Sequence, residues 1–149
     1  MTKESPMNLV KYLGLLFTML PSMLMAQMNI QIENAYIREL PPSAETAAVY
    51  MAISNVGQHP LSLTEVRTDA ARSAMIHLSS TRNGMMVMEH LSSIDLPPQQ
   101  SVVFEPGSFH IMLEGLRQSL VAGDSIRLLL GFSNGMVISA TVPVISTGN

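Results

Sequence analysis

Histidine and methionine recur at alternate positions in several short segments of this sequence. His110 and Met112 lie two positions apart, each flanked by apolar residues, and Met75 and His77 repeat this arrangement earlier in the chain. In a β-strand, alternate side chains point to the same face of the sheet. If the flanking apolar residues face a core, each histidine therefore shares the opposite face with a methionine.

A third segment carries Met86, Met88 and His90 at the same alternate spacing. Each residue alone has an ordinary explanation, because methionine is a common core residue and a single strand histidine is usually a solvated surface side chain. The combination points elsewhere, since thioether sulfur and imidazole nitrogen together suit Cu(I), a soft ion. The residues alone leave both interpretations open, a copper(I) site and ordinary packing, with Met75 and Met86 as shielding side chains if a site exists.

The 149 residues include no cysteine. A blue-copper electron-transfer site is therefore excluded, because it requires a cysteine thiolate. Methionine is the remaining soft ligand, and eight of the 13 methionines lie beyond residue 26. Zinc is less well matched, because it prefers cysteine, histidine or carboxylate ligands and no acidic residue accompanies both His77 and His110.

An all-β domain would have to position these side chains. Apolar and polar residues alternate in short runs with turn residues between them, which predicts about seven to nine strands and a sandwich or barrel. The last pair is the clearest, with residues 126–132 and 136–144 alternating on either side of Asn134-Gly135. This dipeptide predicts a hairpin with a type I′ turn. The length suits one domain. The sequence has no pattern that indicates an amphipathic helix.

The N-terminus is typical of a secretory signal. Lys3 and Lys11 precede an uncharged run over residues 12–26, whose 15 positions fall short of the roughly 20 that a membrane-spanning helix needs. We therefore predict a cleaved signal peptide at residues 1–26 and a single domain at residues 27–149, outside the cytoplasm. An uncleaved membrane anchor is the alternative.

Composition excludes several function classes. Beyond residue 26 there are six arginines, no lysine and ten acidic residues, a net charge of −4, which argues against nucleic acid binding. No Ser-His-Asp order, pair of carboxylates or nucleophilic cysteine indicates an enzyme. A metal-free interaction domain is a further alternative, and it predicts no stoichiometric copper.

The spacing His77-x10-Met88-x21-His110-x-Met112 resembles that of the periplasmic copper chaperones of the PCu(A)C family. The similarity extends from about residue 34 to residue 144. Beyond the histidines and methionines, it includes Asn55 and residues 35–38, 46–48, 107–113, 115–116 and 123–124. One departure is Ser108, which stands where a second glycine is common in the family.

The resemblance implies a cupredoxin-like Greek-key β-sandwich with one Cu(I) per monomer, held near the surface by His77, Met88, His110 and Met112. It further implies a periplasmic chaperone that delivers copper for cytochrome c oxidase assembly, to the copper-centre subunit of that enzyme or to a Sco-type thiol protein. A copper buffer or resistance protein with the same site is the alternative. We expect a monomer without enzymatic activity, nucleic acid or stable membrane insertion.

Overall fold

The computed structural model describes residues 29–146, which contain ten β-strands and no helix. The strands are β1 (Ile30–Arg38), β2 (Thr46–Asn55), β3 (Leu61–Thr68), β4 (Ala71–Arg82), β5 (Met85–Leu91), β6 (Ile94–Leu96), β7 (Gln100–Phe104), β8 (Phe109–Leu116), β9 (Ser125–Phe132) and β10 (Val137–Ile145). The predicted all-β class is confirmed. The signal peptide expected at residues 1–26 lies outside the described residues, and within residues 29–146 no helix is long and apolar enough to cross a membrane.

The strands follow the order β5-β4-β8-β7-β2-β1-β10-β9-β3-β6, and β2 also pairs with β8. Most neighbours are antiparallel, whereas β1 with β10 and β7 with β8 are parallel. Strands β3 and β4 are far apart in this order but contact one another. Buried side chains from both halves of the order, among them Leu63 on β3 and Ile76 on β4, belong to one core. The two halves therefore pack face to face, as the sequence predicts for a sandwich.

The core consists of the apolar alternations along the strands. Every second residue is buried on β2 and β9: Ala47, Val49, Met51, Ile53, Ile126, Leu128, Leu130 and Phe132. On β4 and β8 the buried apolar side chains include Ile76, Ile111 and Leu113. Burial of a large apolar side chain stabilises the fold by about 1.5 to 3 kcal/mol, and a slip of one residue would turn each strand over. The core therefore fixes the face on which the histidines lie.

The hairpin between β4 and β5 has a two-residue turn. Asn83 and Gly84 both have positive φ, 53° and 77°, as a type I′ turn requires. Arg82 pairs with Met85 directly across this turn. The turn therefore sets the register between β4 and β5.

The type I′ prediction for the last hairpin is wrong. Of its dipeptide only Gly135 has positive φ, 82°, because the loop contains three residues, 133–135, instead of two. The Phe132 N–H donates to the Met136 carbonyl across the loop. The Asn134 side-chain oxygen accepts the N–H of Met136 at 3.0 Å. Asparagine here stabilises the turn through its side chain and does not adopt the left-handed conformation.

Candidate metal centre

Three neighbouring strands bring their histidines together on one face. Strand β4 lies between β5 and β8. His77 on β4 pairs with His90 on β5 and with His110 on β8. The ring centroid of His77 is 5.7 Å from that of each partner, with the planes nearly perpendicular at 85° in both cases. A row of three imidazoles therefore crosses the three strands.

Met88 extends this row with a sulfur atom. Its Sδ lies 3.2 Å from Nδ1 of His77, although Met88 pairs with Ser79, two residues further along β4. With bonds of about 2.0 Å to nitrogen and 2.3 Å to sulfur, two donors of a tetrahedral metal site are about 3.5 Å apart. The two atoms thus have nearly the separation at which both bind one ion. Met88 is 51% exposed, so its sulfur is accessible from outside.

His110 is the buried member of the row, only 4% exposed. Its Nδ1 lies 3.2 Å from the carbonyl oxygen of Ser108, so Nδ1 donates and the lone pair of the neutral ring resides on Nε2. The same carbonyl accepts the N–H of Ser79 at 3.0 Å. A hydrogen bond from one ring nitrogen, here Nδ1, fixes the orientation of an imidazole whose other nitrogen binds a metal. Only the backbone of Ser108 takes part in these hydrogen bonds.

The surroundings of His77 favour its neutral form. Burial lowers the pKa of His77, the positive charges that His110 and His90 can carry lower it further, and Glu114 opposes them. A lowered pKa keeps the imidazole unprotonated at neutral pH. Its lone pair is then available to a metal ion without competition from a proton.

Met112 is placed by its strand register. It lies two residues from His110 on β8 and pairs with Met75 on β4, and both methionines are half-buried. Met75 is therefore positioned to cover the site, as the sequence predicts. Met86 is 70% exposed and pairs with Thr81, close to the end of the hairpin, so its position does not favour a shielding role.

His90 is the residue whose position the sequence interpretation missed. It is exposed, as expected of a solvated side chain, but it lies directly opposite His77. A local signal could have revealed this. Arg82 and Met85 pair across the two-residue turn, and counting five residues back along each strand brings His77 opposite His90. His59, in contrast, is an exposed turn residue, as predicted.

Within residues 29–146, no group of three or more His, Cys, Asp or Glu side chains could hold a metal ion. A metal ion at the histidine row would therefore need methionine sulfur as well as imidazole nitrogen. That donor set suits a soft ion better than zinc, magnesium or calcium. Of the four predicted ligands, His77 contacts both Met88 and His110, and the strand register puts Met112 on the same face of the sheet.

Sequence comparison places this chain among known relatives. Residues 30–144 match a family model described as "Putative lipoprotein LpqE-like". A protein named "Putative lipoprotein Lxx21020", from Leifsonia xyli subsp. xyli, is 32% identical over 117 residues, which are 78% of this chain and 69% of that protein.

Solved structures share the fold at lower identity. The copper-bound PCuAC domain from PmoF2 is 23% identical, with a TM-score of 0.67 over 79% of this chain and 93% of that domain. The solution structure of CuI-DR1885 from Deinococcus radiodurans is 23% identical, with a TM-score of 0.66 over 85% of this chain and 84% of that protein. The predicted cupredoxin-like β-sandwich is thus confirmed. The chain belongs to the LpqE-like family, and the predicted resemblance to the PCu(A)C domains is confirmed in the fold.

Proposed function

We propose that this protein is a copper(I) chaperone that binds one Cu(I) through His77, Met88, His110 and Met112. The observation that carries the proposal is the position of His77, which contacts Met88 on one neighbouring strand and His110 on the other. Two imidazole nitrogens and two thioether sulfurs make a neutral, soft donor set that suits Cu(I). Two structures with this fold carry copper in their names, which supports the same cargo here.

The ligands differ in how firmly the fold holds them. His110 is buried and its ring is fixed by the Ser108 carbonyl, whereas Met88 is half exposed on its strand. The buried imidazole orients the ion, and the exposed thioether is the ligand that an incoming partner can displace first. A site with one fixed and one accessible side suits a protein that must both retain copper and give it up.

The proposal also covers the compartment in which the protein acts and the protein that receives its copper. We infer a single secreted domain, residues 27–149, that follows a cleaved signal peptide at residues 1–26 and acts in the periplasm. The copper-centre subunit of cytochrome c oxidase, or a Sco-type thiol protein, would receive the ion. Thioether ligands suit an oxidising compartment, because they do not form disulfides as thiolates do. A copper buffer or resistance protein is the second candidate, since it would use the same four ligands. Neither function requires enzymatic activity.

Anaerobic titration with Cu(I) against a chromophoric chelator tests the site. We expect one Cu(I) per monomer and poor competition from Zn²⁺, because thioethers bind zinc weakly. After oxidation, no intense blue absorption should appear, because no thiolate is present for charge transfer to Cu(II). A stoichiometry of zero would instead favour a metal-free interaction domain.

A transfer assay then separates delivery from storage. The Cu(I)-loaded protein is mixed with the apo form of the oxidase copper-centre subunit or with a reduced Sco-type protein. Copper that moves to the partner faster than it dissociates into buffer supports a chaperone. Copper that moves only at the rate of free dissociation supports the buffer.

A further inference from the structure

Strand β4 places His77 between two pairs of potential ligands. On β8, His110 and Met112 are two residues apart, and on β5, Met88 and His90 are two residues apart. Both strands run antiparallel to β4, and both histidines lie directly opposite His77. The proposed copper site uses three of these four flanking residues and leaves the imidazole of His90 without a role.

His90 has the same geometric relationship to His77 as His110 has. Each of the two outer rings is 5.7 Å from the His77 ring and nearly perpendicular to it. Side chains directly opposite each other on antiparallel strands have Cβ atoms about 4.5 to 5.5 Å apart, close enough for two imidazoles to reach one ion.

We infer that His77, Met88 and His90 form a second, outer copper position, through which Cu(I) enters and leaves the inner site. The inference rests on the proposed copper function and adds a ligand to it. His77 and Met88 belong to both positions, so the ion passes from one to the other without leaving the protein. In moving inward, the ion loses its bond to His90 and gains bonds to His110 and Met112. Its oxidation state does not change.

Exposure distinguishes the two positions. His90 and Met88 are both exposed, whereas His110 is buried. His90 also lines a surface groove of about 190 Å³, together with Met75 and residues 64–66 of β3. His90 and His110 lie on opposite sides of His77, so a single ion occupies one position at a time.

A cycle of variants tests the outer position. Cu(I) affinity is measured anaerobically for the parent protein, His90→Gln, Met112→Leu and the double variant. In the parent the inner site dominates, so His90→Gln alone should change the affinity very little. Met112→Leu weakens the inner site and shifts the ion outward. In that background His90→Gln should lower the affinity by about tenfold, the scale of losing a supporting group at a metal site, and the two effects should not be additive.

Kinetics gives an independent measurement in the unweakened protein. His90→Gln should slow the release of Cu(I) to an excess of chelator by about tenfold, because the exit position is lost while the inner site is intact. His59→Gln is the matched control, since it removes an exposed imidazole from a turn without affecting the row.

The outcomes separate the two proposals. Equal effects of His90→Gln in both backgrounds, together with an unchanged release rate, would overturn the outer position while the four-ligand site stands. A parent protein that binds no Cu(I) would overturn the copper function itself, and the outer position with it.

Discussion

Nδ1 of His77 and the sulfur of Met88 are 3.2 Å apart, although they project from different strands. A methionine that fills a core would be buried among apolar side chains, but Met88 is half exposed and contacts an imidazole. The contact therefore buries little apolar surface, which favours the proposed role of Met88 as a ligand over ordinary packing.

Replacing either proposed sulfur ligand should weaken copper binding but leave the fold intact. Met88→Leu and Met112→Leu nearly conserve side-chain volume, so each should cost less than about 1.5 kcal/mol in the free energy of unfolding. Each should weaken Cu(I) binding by at least about tenfold, because leucine has no lone pair to donate. Thermal unfolding and a Cu(I) competition assay on the same samples measure both effects.

Met136→Leu is the control for this comparison. Met136 is half-buried and packs against the core beside the last hairpin. Its replacement should alter the melting temperature slightly and leave copper affinity at the parent value. If the three variants have the same Cu(I) affinity, the assignment of Met88 and Met112 as ligands is wrong.

Copper affinity should decrease in acid, and the part of this decrease that comes from His77 should lie at a lower pH than for a free histidine. Burial, His110 and His90 hold the pKa of His77 below its usual value, against the opposing effect of Glu114. Protons therefore compete for the His77 lone pair only below the ordinary histidine pKa of about 6.5. Affinity measured from neutral to acid pH should be flat first and then fall. A flat profile throughout would argue against imidazole ligands.

The same lowered pKa affects the stability of the copper-free protein. Between the pKa of His77 in the folded state and about 6.5, the unfolded chain binds more protons than the folded one. Stability should therefore fall as the pH decreases through this window and level off below it. Denaturant unfolding of the parent and of His77→Gln checks this, since the variant should lose that part of the pH dependence.

Strain in the β4–β5 turn should lower the affinity for Cu(I). Gly84 has a φ of 77°, and Gly84→Ala should destabilise the turn by about 1 to 2 kcal/mol although the space around it is open. The hairpin carries Met88 and His90, so Cu(I) affinity should decrease several-fold. Gly135→Ala is the matched control in the other hairpin, with a φ of 82° and open space. It should cost similar stability and leave copper affinity unchanged.

Asn55 should affect stability alone. It is 1% exposed, its side-chain amide donates to the carbonyls of His59 and Leu96, and its oxygen accepts the N–H of Gly57. Asn55→Ala leaves these buried groups unpaired and should cost at least about 2 kcal/mol. Chemical denaturation measures the loss. The copper stoichiometry of the folded variant should stay at the parent value, and a loss of copper would show that this turn is coupled to the site.

Local patterns in the sequence were sufficient to predict which side chains of a strand face the core. Alternation identified the buried residues of β2 and β9, because a side chain's face depends only on its position within the strand. Strand β6 was missed, since three residues between a serine pair and a proline pair give too short an alternation to detect. The turn at Asn134-Gly135 was assigned one residue too short, because the dipeptide is compatible with both loop lengths.

Pairings between distant strands could not be obtained in this way. His77 meets His110 because β4 pairs with β8, and their register depends on packing of the whole sheet. Only the spacing shared with a known family connected these two residues in advance. The burial of His110 was also unexpected, since alternation assigns it to the face away from the core and does not show what covers that face.

Strand β5 stands at one end of the strand order, hydrogen-bonded within the described chain to β4 alone. In the proposed complex, an ion bound to Met88 and His110 links this outermost strand across β4 to β8. Edge strands are among the parts of a fold that fray most readily. The cargo thus acts as a removable cross-link, and a loaded molecule should exchange the backbone amide hydrogens of β5 more slowly than an empty one. In the loaded molecule, opening of this edge strand then requires that the bond between the ion and Met88 breaks.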